Sequence, residues 1–88
     1  MLYAQFYQKS AISDSLVEAC GDRSVIILDG RYSPQTNGEI AAREAAKRGY
    51  LAWSIHRGES FTRSTKVSGP YRVSTRADNS AASATYGA

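Results

Sequence analysis

The sequence predicts a small α+β domain, one helix packed on a mostly antiparallel sheet in ββαββ or βββαββ order. Three observations carry this prediction. Apolar and polar residues alternate at a period of two near the start of the chain and again after Gly49. Between these stretches lies one segment of strong helix formers with its own cap and stop signals. The whole chain has 88 residues, room for a single core.

Leu2, Ala4 and Phe6 alternate with Tyr3, Gln5 and Tyr7, which reads as a strand with one aliphatic face and one tyrosine face. Ser10 to Ser15 is small and polar, hence a loop. Leu16 to Cys20 reads as a second strand, joined through Gly21-Asp22 to Ser24–Asp29, whose unbroken aliphatic run marks it as the central strand of the sheet. The helix opens at Ser33-Pro34, a cap followed by proline at the first helical position, or one turn later at Thr36-Asn37-Gly38-Glu39, an alternative capping box. It closes with Lys47 and Arg48 at the negative end of the helix dipole and Gly49 as a left-handed stop. Ala41, Ala42, Ala45 and Ala46 make one side smooth enough to lie close to a sheet, with Ile40 and Tyr50 anchoring the ends. Leu51, Trp53 and Ile55 then place a large apolar face on a further strand, with His56 on the opposite side as a solvent-facing residue or a hydrogen-bonding edge group. After an Arg57-Gly58-Glu59 turn, Phe61 to Val67 returns antiparallel. Gly69-Pro70 breaks that strand, and Tyr71 to Val73 adds a short edge. The domain is expected to span residues 1–73, with 74–88 a flexible Ser/Ala-rich tail.

The hydrophobic share of 42% includes 13 alanines, so the larger apolar side chains form a modest core. At this size roughly 60–65% of the unfolded surface is buried on folding, which makes a homodimer a reasonable expectation. A single cysteine, Cys20, is expected to be a buried structural thiol, and a single histidine, His56, leaves no Cys/His metal cluster of any usual spacing. No cofactor or metal is expected. No apolar run approaches the roughly 18 residues of a membrane span, and Met1 to Lys9 has no signal-peptide pattern, so a cytoplasmic protein is expected.

The net charge of +3 conceals an asymmetry. The first half carries four basic against six acidic residues, and the second half seven against two. The basic stretch from Lys47 to Arg76 is interleaved with Tyr50, Trp53, Phe61 and Tyr71, the mixture that nucleic-acid binders use for phosphates and unstacked bases. An acidic protein surface would answer the same cations. Candidate binding residues are therefore Arg57, Arg63, Lys66 and Arg72 on the C-terminal hairpin, with Tyr3 and Tyr7 as an alternative aromatic interface or simply as a cover for the sheet's second face. Catalysis by Cys20 with His56 would need the two within hydrogen-bond reach, which their spacing does not suggest. No glycine-rich phosphate motif accompanies Asp29-Gly30-Arg31 or Asn37-Gly38.

Tyr3-Ala4-Gln5-Phe6-Tyr7, Ile26-Ile27-Leu28-Asp29-Gly30-Arg31 and Ala45-Ala46-Lys47-Arg48-Gly49-Tyr50 together resemble the small accessory proteins of bacteriophages and prophages. That resemblance implies a non-catalytic, stoichiometric binder of a host protein or nucleoprotein, in the manner of nuclease inhibitors and anti-CRISPR proteins. A small RNA- or single-stranded-DNA-binding module is the alternative.

Overall fold

Two long strands, β1 (Leu2–Lys9) and β4 (Ala52–Gly58), lie antiparallel at the centre of one sheet, from Leu2 opposite Arg57 to Tyr7 opposite Ala52. The computed structural model describes residues 1–73, so the expected tail from Ser74 to Ala88 lies outside the described residues. On the far side of β4 runs β5 (Ser64–Arg72), and on the far side of β1 lie β2 (Leu16–Glu18) and β3 (Val25–Leu28). The helix α1 (Pro34–Lys47) connects β3 to β4 and packs on one face. This is the βββαββ order, a small α+β domain with one helix on a mostly antiparallel sheet.

The aliphatic strand Val25–Leu28 is not central. It shares one edge of β1 with β2: β2 pairs with Tyr7 to Lys9, and β3 with Leu2 to Gln5. Cα partners in an antiparallel pair project to the same face, so Ile27, opposite Tyr3, faces away from the helix and stays 62% exposed. The two short strands therefore read as one long antiparallel partner of β1, interrupted from Ala19 to Ser24 by an excursion with a 3₁₀ turn at Asp22–Ser24. Gln5 pins both ends of this excursion, its side-chain amide donating to the carbonyls of Ala19 (3.2 Å) and Ser24 (3.3 Å). Cys20 sits on the excursion and is exposed, contrary to the buried thiol expected.

Ser33 is the helix cap, its Oγ accepting from the Thr36 amide at 3.1 Å, so the earlier of the two candidate starts is used. Gly49 closes the helix at φ 83°. Along α1 the buried face is Asn37, Gly38, Ala41 and Ala45, while Ala42 is half-buried and Ala46 exposed. Ala41 and Ala45 meet Ala4, Phe6, Trp53, Ile55 and Leu28 in the core. Small helix side chains bring the helix axis close to the large ones of the sheet. Tyr50 stacks on Phe6 at 5.3 Å, and Arg48 donates from Nη1 to the Arg23 carbonyl at 3.0 Å, tying the end of the helix to the excursion.

Gly69-Pro70 does not end β5. The ladder continues through it with two register shifts: five steps from Lys66 to Tyr71 face three from His56 to Trp53. Such bulges let a strand bend across its partner. Gly69 is required at this crossing, since its φ is 99° and a Cβ there would lie 2.9 Å from Ser54 Cα. β5 also starts later than the sequence suggests, because Ser60 to Arg63 form a turn closed by Glu59 N–H to Arg63 O at 2.9 Å.

Candidate binding surface

The register of β1 against β4 sorts the site residues by face. Leu2, Ala4 and Phe6 with Arg57, Ile55 and Trp53 point toward the helix, whereas Tyr3, Gln5 and Tyr7 with His56, Ser54 and Ala52 point away. The tyrosine face is not an open surface. Tyr3 is 3% and Tyr7 8% exposed. The Tyr3 ring stacks on His56 at 5.2 Å, meets Phe61 in a T-shaped contact at 4.8 Å, and has its hydroxyl 2.6 Å from Ser64 Oγ. Tyr7 OH lies 3.0 Å from Ser54 Oγ, which in turn lies 2.7 Å from His56 Nε2. These contacts satisfy the polar ends of both rings inside the protein, so of the two readings of Tyr3 and Tyr7 the open aromatic interface is corrected and the cover of the sheet's second face stands.

His56 is likewise buried and hydrogen-bonded to Ser54, which excludes the solvent-facing one of its two expected placements. Burial pushes its pKa below the usual histidine value, with Glu18 opposing the shift and Lys66 adding to it. Ser54 and His56 stand at nucleophile-to-base distance, but Ser54 is wholly buried and its Oγ also meets Tyr7 OH. The arrangement is a packed polar network beneath the sheet. Alternation at i and i+2 on one strand was the signal available for it in the sequence. No hydrogen bond joins Cys20 to His56 among the described residues, and none of their His, Cys, Asp and Glu side chains cluster in a way that could hold a metal. No helix among the described residues is long and apolar enough to cross a membrane.

The four candidate cations are all exposed, but they do not converge. Lys66 and Arg72 pair with His56 and Ala52 and lie on the face away from the helix. Arg57 lies on the helix face at the end of β4. Arg63 stands in the β4–β5 turn, where its guanidinium meets Glu59 at 3.3 Å. Among the described residues no acidic side chain pairs with Arg57, Lys66 or Arg72.

On the helix face, α1 covers β1 and β4 but leaves a groove over β5. Its middle is a cavity of about 190 Å³ lined by Leu2, Tyr32, Pro34, Asn37, Arg57 and Val67, among others. It adjoins a second of about 270 Å³ floored by Trp53, Ile55 and Tyr71. Val67 and Tyr32 are more than half exposed on its rim. Asp29 lines a neighbouring cavity together with Arg57 at the sheet end, without an ion pair between the two. The Asp29 carboxylate is engaged by Arg31 Nε and Nη2, the latter at 2.8 Å, and that contact holds it below the usual carboxylate pKa. Sequence reasoning missed this groove, because it arises from one helix being too narrow for a five-stranded sheet.

No protein-family profile, curated protein or solved structure matches this chain. The fold and the site therefore define a small α+β domain with a basic hairpin and an apolar groove.

Proposed function

We propose that this protein is a non-catalytic binding protein that acts by surface contact with a host protein or nucleoprotein. The observation that carries the reading is the β4–β5 hairpin, which presents Arg57, Lys66 and Arg72 to solvent without acidic partners among the described residues. Cations left unpaired on a rigid hairpin attract an acidic surface and cost the fold little. The burial of Tyr3, Tyr7 and Trp53 removes those three rings from any base-stacking surface, whereas Tyr32 and Phe61 stay about half exposed, so the nucleic-acid alternative is decided by the test below.

The test is retention of a partner from host extract by the intact chain and by Lys66→Glu with Arg72→Glu, with and without nuclease. Loss of one protein in the double variant, insensitive to nuclease, supports the reading. Equal retention by both chains overturns it. Nuclease-sensitive capture with a steep loss on added salt favours the nucleic-acid alternative.

A further inference from the structure

His56 is a titratable group that the fold encloses and the binding reading leaves unused. Its contacts run in a buried chain: Tyr7 Oη lies 3.0 Å from Ser54 Oγ, and Ser54 Oγ 2.7 Å from His56 Nε2. Two links need two protons. With the ring neutral and Nε2 accepting, Ser54 donates to His56 and Tyr7 donates to Ser54, so every atom of the chain is satisfied. A protonated ring brings a third proton into the same two links. One hydroxyl proton is then left without an acceptor among the described residues, inside the fold, where such a group is costly.

The groups facing the ring divide unequally. Lys66 of β5 is the cross-strand partner of His56 and projects to the same face, where like charges repel. Glu18 of β2, opposite Tyr7, and the face of the Tyr3 ring favour a cation instead. Farther along this face, Lys9 is engaged by Asp14 at 3.1 Å and Arg72 stands opposite Ala52. In the turn Glu59 and Arg63 pair with each other at 3.3 Å, and α1 lies on the other face of the sheet. Burial, Lys66 and the proton count together outweigh Glu18 and Tyr3, and the ring is held neutral.

The ring supports the outer end of the β4–β5 hairpin. Tyr3 stacks on His56 within 12° of parallel, and the same tyrosine holds the turn. Its ring meets Phe61 at 4.8 Å, and its hydroxyl lies 2.6 Å from Ser64 Oγ and donates to the Phe61 carbonyl at 3.3 Å. A register shift between Ile55 and His56 divides the hairpin at this level. Inside it, Trp53 packs on Tyr71 at 4.8 Å beside the helix-face core. Outside it lie the pairs from His56–Lys66 to Gly58–Ser64 and the turn, and the bulge gives this outer segment a place to bend.

We infer that His56 is the trigger of a pH-sensitive latch: taking up a proton drives its ring off Tyr3 and frees the turn that carries Phe61 and Ser64, while the helix-face core stays packed. The inference goes beyond the binding reading, since the latch lies within the fold whatever partner is bound. Opening takes up one proton, so the open population should rise by up to about tenfold per pH unit below 6.5, until the closed form itself is protonated.

The test is a titration of the ¹³C,¹⁵N-labelled chain from about pH 8 to about pH 5, following the His56 ring, the amides of Glu59 to Lys66 and the emission of Trp53, the single tryptophan. Expected are amide shifts over the turn that track the His56 ring, a nuclear Overhauser contact between Tyr3 and Phe61 that fades in step, and tryptophan emission that keeps its buried wavelength. His56→Gln keeps a hydrogen-bonding side chain beside Ser54 and should hold the turn closed over the whole range. Lys66→Gln, at an exposed position, should fold as the parent does and open the turn about two- to fivefold less, because the closed ring then tolerates its charge better. A turn that stays in place while His56 titrates overturns the inference, and so does turn movement that persists in His56→Gln. Emission that shifts to the red in step with the His56 ring overturns it as well, because the proton then unfolds the core with the turn. Should His56→Gln not fold, Lys66→Gln decides, and opening equal to the parent's removes the latch.

Discussion

The two faces of the β1–β4 pair are both buried, by different means. On the helix side Ala4, Phe6, Trp53 and Ile55 pack against alanines, and apolar area removed from water does the stabilising. On the other side Tyr3, Tyr7, Ser54 and His56 close over one another through ring stacking and a chain of hydroxyl contacts. An alternating strand usually signals one face in and one face out. Here the alternation separates two kinds of interior, the first tolerant of shape only, the second of shape and of hydrogen-bond partners.

Substitutions weigh the two faces against each other. The largest loss is expected for Trp53→Ala, about 3–5 kcal/mol by urea denaturation, because the ring is 2% exposed and its removal leaves a cavity. A loss below that of Tyr7→Phe would mean that the polar face, not the helix face, carries the stability. Ala45→Leu should cost about 1–3 kcal/mol by forcing α1 away from the sheet, and an unchanged midpoint would show that the helix has room to move. Tyr7→Phe keeps the ring and removes the hydroxyl that meets Ser54, for an expected loss of about 1 kcal/mol in the same assay.

The polar face alone should respond to mild acid. His56 is held neutral by burial, so its folded pKa lies below the unfolded value of 6.5, and the unfolded chain binds the proton more readily. Stability contributed by this group is full above pH 6.5 and declines as pH falls from there through the lower folded pKa. His56→Gln should flatten that part of the curve of denaturation midpoint against pH; a curve with the parent's slope would assign the acid response elsewhere. The smallest effect is expected at the surface, where Lys66→Glu with Arg72→Glu should move the melting free energy by no more than about 0.5 kcal/mol.

The helix and the first strand were legible in the sequence because their signals are local. Ser33-Pro34 and Gly49 cap and stop the helix wherever it packs, and the alternation from Leu2 to Tyr7 is read residue by residue. What failed depended on pairing. Val25–Leu28 looks central by composition, yet eight residues of β1 offer an edge long enough for two short strands, and the aliphatic run took part of it. Gly69-Pro70 looks like a break, yet β5 absorbs it by bulging across Ser54. Alternation alone does not tell whether the face of Tyr3, Tyr7 and His56 is covered; Phe61 and Ser64, about 60 residues away in the chain, return onto Tyr3, and Ser54 joins Tyr7 to His56. The four cations were correctly found as exposed side chains, but face assignment needed the register of β5, which the bulges shift.

The interruptions at the two margins of the sheet bear on how the protein behaves at high concentration. A long flat edge with free amides and carbonyls invites edge-to-edge pairing and, from there, fibrils. Here the β2–β3 margin offers runs of three and four residues separated by the Gln5-pinned excursion, and the β5 margin carries Lys66, two register shifts and Pro70, which has no N–H to donate. Any intruding strand runs out of matching partners within a few residues. Among the described residues, a chain rich in β-structure and modest in core thereby carries features that disfavour edge-to-edge templating.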